Sequence, residues 1–166
     1  MKKTIGTVLL VLVAVAGCST SEQGSSGDTR NDKGLIDIKP GQDAGYGEVT
    51  FTINDVQVDP KCRATGELPT SGHVVVVDLT VSTGANAQEA ERMATALTDP
   101  TSWEEINKDG VILPSRLAQC IDAGQTLPSP IEPNQISTGK IELVVPEASG
   151  VLLFTDPNLT GWELHY

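Results

Sequence analysis

The spacing of apolar residues changes character several times along this chain, and each change predicts a different element. Residues 5–16 are apolar apart from Gly6 and Thr7, and Lys2 and Lys3 precede them. Residues 19–34 are Ser, Thr, Gly, Gln, Asn and charges, with no large apolar side chain. Leu35-Ile36-Asp37-Ile38 then predicts a short edge strand before Pro40. Val49, Phe51 and Ile53 alternate with polar neighbours, after which the apolar positions slip to Val56 and Val58. Because a strand has a side-chain period of two, that slip predicts a β-bulge at Asn54-Asp55. Residues 72–82 place Val75, Val77, Leu79 and Val81 on one face and Asp78 and Thr80 on the other, the pattern of a central strand.

Between residues 86 and 97 the period becomes helical. Ala87, Ala90, Met93, Ala94 and Leu97 recur at helix spacing, with Asn86 and Glu89 placed as a capping box and Pro100 as the stop. Residues 102–106 and 111–113 read as strands joined by Asn107-Lys108-Asp109-Gly110, a hairpin signal. The proline-rich stretch 127–133 reads as a loop. Strands follow at 136–145, 151–154 and 162–166, with Ile141, Leu143, Val145, Trp162, Leu164 and Tyr166 facing inward. Six or seven short strands with one inserted helix predict an antiparallel sandwich rather than a parallel βαβ fold.

The first apolar run is too short for a spanning helix, which needs about 20 mostly apolar residues. With its lysines it matches a secretory signal. Val15-Ala16-Gly17-Cys18 at its end resembles the bacterial lipobox. In precursors of that kind the cysteine thiol receives diacylglycerol and becomes the mature N-terminus. The resemblance therefore implies residues 1–17 as a cleaved lipoprotein signal peptide, Cys18 as the lipidated residue, residues 18–45 as a flexible linker, and residues 46–166 as the folded domain. Two acyl chains suffice for stable attachment, so the implied location is the extracytoplasmic face of a cell membrane.

The chain has 166 residues, 11 bases and 22 acids, a formal charge of −11. Without Lys2 and Lys3 the bases fall to 9 against the same 22 acids, giving −13. Such a surface disfavours nucleic acid and anionic lipid as partners. With Cys18 assigned to lipid, Cys62 and Cys120 are the two cysteines left, and an oxidising compartment favours a disulfide between them. Isolated thiols without CxxC spacing or a histidine cluster make a poor zinc site.

No catalytic motif is present: GxSxG, HExxH, a phosphate-binding loop and a dinucleotide fingerprint are all missing from the sequence. His73 falls on the Val75 face at a strand start, and His165 falls opposite Leu164 and Tyr166, so both read as structural or solvent-facing. The pairs Asp55 with Asp59 and Asp37 with Asp43 lack the alternating oxygen ligands of a calcium loop. Trp103 and Trp162 read as core or hairpin residues rather than sugar-stacking platforms.

Several phrases coincide with one family. Gly47-Glu48-Val49-Thr50-Phe51-Thr52-Ile53, Gly72-His73-Val74-Val75-Val76-Val77-Asp78-Leu79-Thr80-Val81, the Asp109-Gly110 turn, and Pro133-Asn134-Gln135 with Gly139-Lys140-Ile141 and Val145-Pro146 carry the likeness. They resemble Gram-positive, actinobacterial-type lipoproteins with an immunoglobulin-like domain of uncharacterised role, often mislabelled telomeric repeat-binding factors. That domain is similar in fold to a mycobacterial secreted immunogenic antigen. Asn134 stands where the family usually has glycine, and the helix at 86–97 looks like an insertion.

The resemblance implies an all-β, immunoglobulin-like antiparallel β-sandwich with one inserted helix and no catalytic residues. The expected function is a non-enzymatic interaction module of the cell envelope, with an envelope protein or cell-wall component as partner. The alternative is a carrier or sensor of a small ligand or metal. No cofactor is expected beyond diacylglycerol on Cys18, and no metal ligand is assigned.

Overall fold

The computed structural model describes residues 34–62, 69, 71–156 and 160–166. It contains ten strands and one α-helix. The strands are β1 (Ile36–Ile38), β2 (Asp43–Tyr46), β3 (Val49–Val58), β4 (His73–Thr83), β5 (Trp103–Ile106), β6 (Ile112–Pro114), β7 (Arg116–Leu117), β8 (Ile136–Val145), β9 (Val151–Thr155) and β10 (Gly161–His165); α1 (Ala87–Thr98) lies between β4 and β5. One sheet has the order β1-β10-β9-β5-β6 and the other β2-β3-β4-β8-β7. The two-sheet β-sandwich expected from the pattern is present.

The alternation in β3, β4 and β8 turns one face of each strand inward. Phe51, Ile53, Val75, Val77, Leu79, Val81, Leu143 and Val145 are all essentially inaccessible. The bulge is where the slip placed it. Ile53 pairs with Leu79 and Asp55 with Asp78, leaving Asn54 as the extra residue. Its side-chain amide Nδ2 donates outward to Asp78 Oδ1 at 2.9 Å and Thr80 Oγ1 at 3.1 Å, tying the bulge to β4.

Between the sheets lies an aromatic layer. Phe154 is stacked on Trp162 (5.5 Å, 19°) and lies 4.7 Å from Trp103. Phe51 from the opposite sheet meets Phe154 and Trp162 edge-on, at 5.7 and 5.4 Å. Both tryptophans are buried, and the Trp103 indole N–H donates to the Leu97 carbonyl at 3.0 Å.

That last bond shows why α1 is not an appendage. It carries the chain from β4 in one sheet to β5 in the other, and Ala90, Met93, Ala94, Ala96 and Leu97 are buried. The expected insertion is therefore part of the core. Its Asn86 cap accepts from Glu89 N–H at 3.2 Å, as predicted. The reciprocal half of the box comes from elsewhere: Glu48 Oε2 accepts from Asn86 N–H at 3.0 Å, while Glu89 Oε1 accepts from Glu48 N–H at 2.9 Å. Gly47 makes this approach feasible, because it has φ +60° and a Cβ there would collide with the Glu89 carboxylate.

Two expectations need correction. The linker does not run to residue 45, nor does the domain start at 46: β1 and β2 are strands of the sandwich, with Ile36, Ile38 and Ala44 buried. Nor is the sandwich wholly antiparallel, since β1 runs parallel to β10. The chain passes from β1 in one sheet to β2 in the other through a turn closed by Gln42 N–H to Lys39 O (3.0 Å) and Gly41 N–H to Ile53 O (2.8 Å). Asn134 occupies a left-handed conformation (φ +54°), which asparagine tolerates better than most residues.

One acid breaks the pattern. Glu105 shares the inward face of β5 with Trp103 and is fully buried, with neither carboxylate oxygen hydrogen-bonded. The Tyr166 hydroxyl lies beside it but donates to the Glu147 carbonyl at 3.3 Å. Burial pushes the Glu105 carboxyl above its ordinary value of 4.5, partly offset by Tyr166 and the Glu147 backbone. The folded chain thus holds this proton more tightly than the unfolded chain. The stability tied to the neutral carboxyl is present below the unfolded value and is lost as pH rises through the folded one. Glu105→Gln should therefore gain stability relative to the native sequence between about pH 4 and about pH 7 in urea titrations. An equal offset at both pH values would contradict the buried acid.

Candidate functional site

The region of the sandwich with the most chemistry is the outer face of the β2-β3-β4-β8-β7 sheet. Four consecutive valines follow His73 at the start of β4, and they are buried on both sides. Val75 and Val77 enter the main core, whereas Val74 and Val76 point the other way and join Val144, Ala118 and Cys120 in a second cluster, with Cys62 and Ile121 against it. A continuous apolar run is the signature of a strand covered on both faces. What covers the second face is a clasp.

The clasp is the disulfide between Cys62 and Cys120, which joins residues 58 apart with Cα atoms 4.5 Å from each other. The pairing expected from the cysteine count is thus in place. Beneath it, buried Glu142 of β8 accepts from the backbone N–H of Cys120 (2.5 Å) and of Ile121 (3.0 Å) through Oε2. One carboxylate oxygen so satisfies two amides that the disulfide segment would otherwise bury unpaired. Farther along β8, Gly139 lets the backbone at Thr126 and Leu127 approach closely, since a Cβ there would lie 2.5 Å from Leu127 Cα. Leu127 N–H then donates to Lys140 O at 2.9 Å.

Between clasp and strands is a cleft of about 320 Å³. Val76, Cys120 and Ile121 form its apolar floor and wall, and Gln57, Lys61, Gln125 and Lys140 reach its rim. No local motif announces it, because its residues come from β3, β4, β8 and both cysteine segments. Its legible sign is the double-sided valine run next to a cysteine pair.

The other residues singled out from sequence fall elsewhere. His73 Nδ1 lies 2.7 Å from Asp59 Oδ2. That bond, with the Val74 N–H, holds the Asp59 carboxyl below the ordinary range. His165 is exposed, 3.9 Å from Asp37 Oδ1. Asp43 accepts from the Thr52 hydroxyl, and Asp55 from Gln57 Nε2 at 2.8 Å, so neither joins its sequence partner in a common site. Among the described residues no group of three or more His, Cys, Asp or Glu is arranged to hold a metal. Val15, Ala16, Gly17 and Cys18 lie outside the described residues.

By class, then, this is a two-sheet β-sandwich with a disulfide-clasped outer face. Neither a protein-family model nor a curated protein sequence matches the chain. Among solved structures it is similar to the secreted protein MPT63 of Mycobacterium tuberculosis, at 19% identity and a TM-score of 0.48, covering 78% of this chain and 97% of that one. It is also similar to an uncharacterised β-sandwich protein of Clostridium difficile 630, at 15% identity and a TM-score of 0.48, covering 82% of this chain and 97% of the other.

The clasp generates a direct expectation. Closing a loop of 58 residues restricts the unfolded chain by about 4 kcal/mol in the entropic model, and natural cases commonly deliver about 2–4 kcal/mol. Replacing Cys62 and Cys120 together by serine should lower unfolding stability by about 2–4 kcal/mol in urea. A native chain equally stable with and without dithiothreitol would contradict the clasp.

Proposed function

We propose that this chain is an extracytoplasmic lipoprotein, anchored to a cell membrane through diacylglycerol on Cys18, whose sandwich is a non-enzymatic interaction module of the cell envelope. The observation that carries the reading is Val15-Ala16-Gly17-Cys18 at the end of an apolar run of signal-peptide length. The Cys62–Cys120 disulfide supports it, because such bonds persist in oxidising compartments. Among the described residues no helix is long and apolar enough to cross a membrane.

The partner is an envelope protein or a wall component, and the acidic balance argues against nucleic acid. Two surfaces suit such contact. One is the solvent face of α1, with Gln88, Glu91, Arg92 and Thr95 exposed. The other is the outer edge at β6, where Val111 and Ile112 are about half exposed. Because α1 fills part of the core, its role is tested by substitutions on that solvent face rather than by deleting residues 86–97. The tightly filled aromatic layer speaks against a small ligand or metal held between the sheets.

The direct test is Cys18→Ala in cells. The native protein should remain with membranes after a carbonate wash and incorporate labelled fatty acid, and the variant should do neither. A variant still retained on membranes would refute the anchor. In-cell crosslinking of the native lipoprotein should give a recurrent envelope partner that α1-face or β6-edge substitutions remove.

A further inference from the structure

We propose that the clasped cleft is a binding site for a small hydroxylated anion, a sugar or polyol carrying one phosphate or carboxylate. The proposal rests on reading the domain as a binding module, but not on its anchor. Its volume of about 320 Å³ is at the lower end of the range for small-molecule sites, about 300–1,000 Å³. Its walls are fixed before any ligand arrives: the disulfide and the two Glu142 hydrogen bonds hold one side, and the β3-β4-β8 ladder holds the other.

The charge at this cleft runs against the rest of the molecule. Acids outnumber bases 22 to 11, yet two lysines converge on its rim. Elsewhere Lys39 is within 3.9 Å of Asp37 and Lys108 within 3.7 Å of Glu147. Lys61 and Lys140 have no ion pair among the described residues, although Asp78 stands directly opposite Lys140 in the ladder. The acids near Lys140 on this face each accept an amide: Asp78 Oδ1 from Asn54 at 2.9 Å, and Asp55 Oδ2 from Gln57 at 2.8 Å. Each ammonium carries three N–H donors, and a lysine pair is a recurrent way to hold an oxyanion.

The remaining lining selects the rest of the ligand. Gln57 commits its Nε2 to Asp55, which leaves its carbonyl oxygen to accept from a hydroxyl. Gln125, exposed on the opposite rim, supplies a further donor and acceptor. Val76, Cys120 and Ile121 supply the apolar part of the lining, against which a carbon skeleton would pack.

Calorimetry on the full-length lipoprotein in detergent at low salt tests this, with glycerol 3-phosphate, glucuronate, glucose and inorganic phosphate as probes. Saturable one-to-one binding of glycerol 3-phosphate identifies a phosphate ligand, and of glucuronate a carboxylate ligand. In either case Lys61→Gln and Lys140→Gln should each weaken binding about tenfold or more, glucose should bind far more weakly, and Lys39→Gln, outside the cleft and both contact surfaces, should leave binding unchanged. Three results would overturn the proposal: no saturable heat with either organic anion at millimolar concentration, binding indifferent to both lysine variants, or inorganic phosphate binding as tightly as its glycerol ester. A failure here leaves the anchor and the protein partner standing, because those are read by fractionation and crosslinking.

Discussion

The contact of Phe154 with Trp103, Trp162 and Phe51 is the constraint on which this molecule depends. Three of the four rings come from one sheet and the fourth, Phe51, from the other, so the layer joins the sheets. Each ring buries about 150–250 Å², worth about 4 kcal/mol or more as an upper figure. Four of them outweigh the roughly 4 kcal/mol of the disulfide several-fold. The aromatic layer holds the fold, and the disulfide shapes one surface of it.

From that core the remaining features follow in order. A filled interior places recognition on outer faces and edges. The helix is tied to the layer through Leu97 and the Trp103 indole, and to the opposite sheet through Glu48 and Asn86. The clasp needs a second apolar patch to sit on, which the outward valines of β4 provide. Under the clasp, Glu142 spends its carboxylate on backbone amides. The chemistry left over is on the rim of the cleft, where Lys61 and Lys140 stand.

Much of this was legible in the sequence where a local rule governs. The period-two alternation located β3, β4 and β8, the slip after Ile53 located the bulge at Asn54, and Asn86 with Glu89 marked the start of α1. The cysteine count pointed to the Cys62–Cys120 bond. What is not legible there depends on distant partners. β2 contains Asp43 and Gly45 and is a strand because β3 pairs with it; β7 has only two residues held against β8. The parallel entry of β1 depends on β10, over a hundred residues later. Glu105 lay on the Trp103 face by simple alternation, but an acid at a core position reads as polar surface until its neighbours are known. The cleft combines Lys61 and Lys140, which only the pairing of β4 with β8 and the disulfide bring near each other.

The central claim, that both tryptophans lie in one closed layer between the sheets, is tested most directly by tryptophan fluorescence of the folded protein with acrylamide as quencher. The chain has only these two tryptophans, so the signal has no other source. The account predicts blue-shifted emission that resists acrylamide and becomes red-shifted and freely quenched in a single transition on unfolding in urea. Red-shifted, readily quenched emission from the folded chain would contradict it.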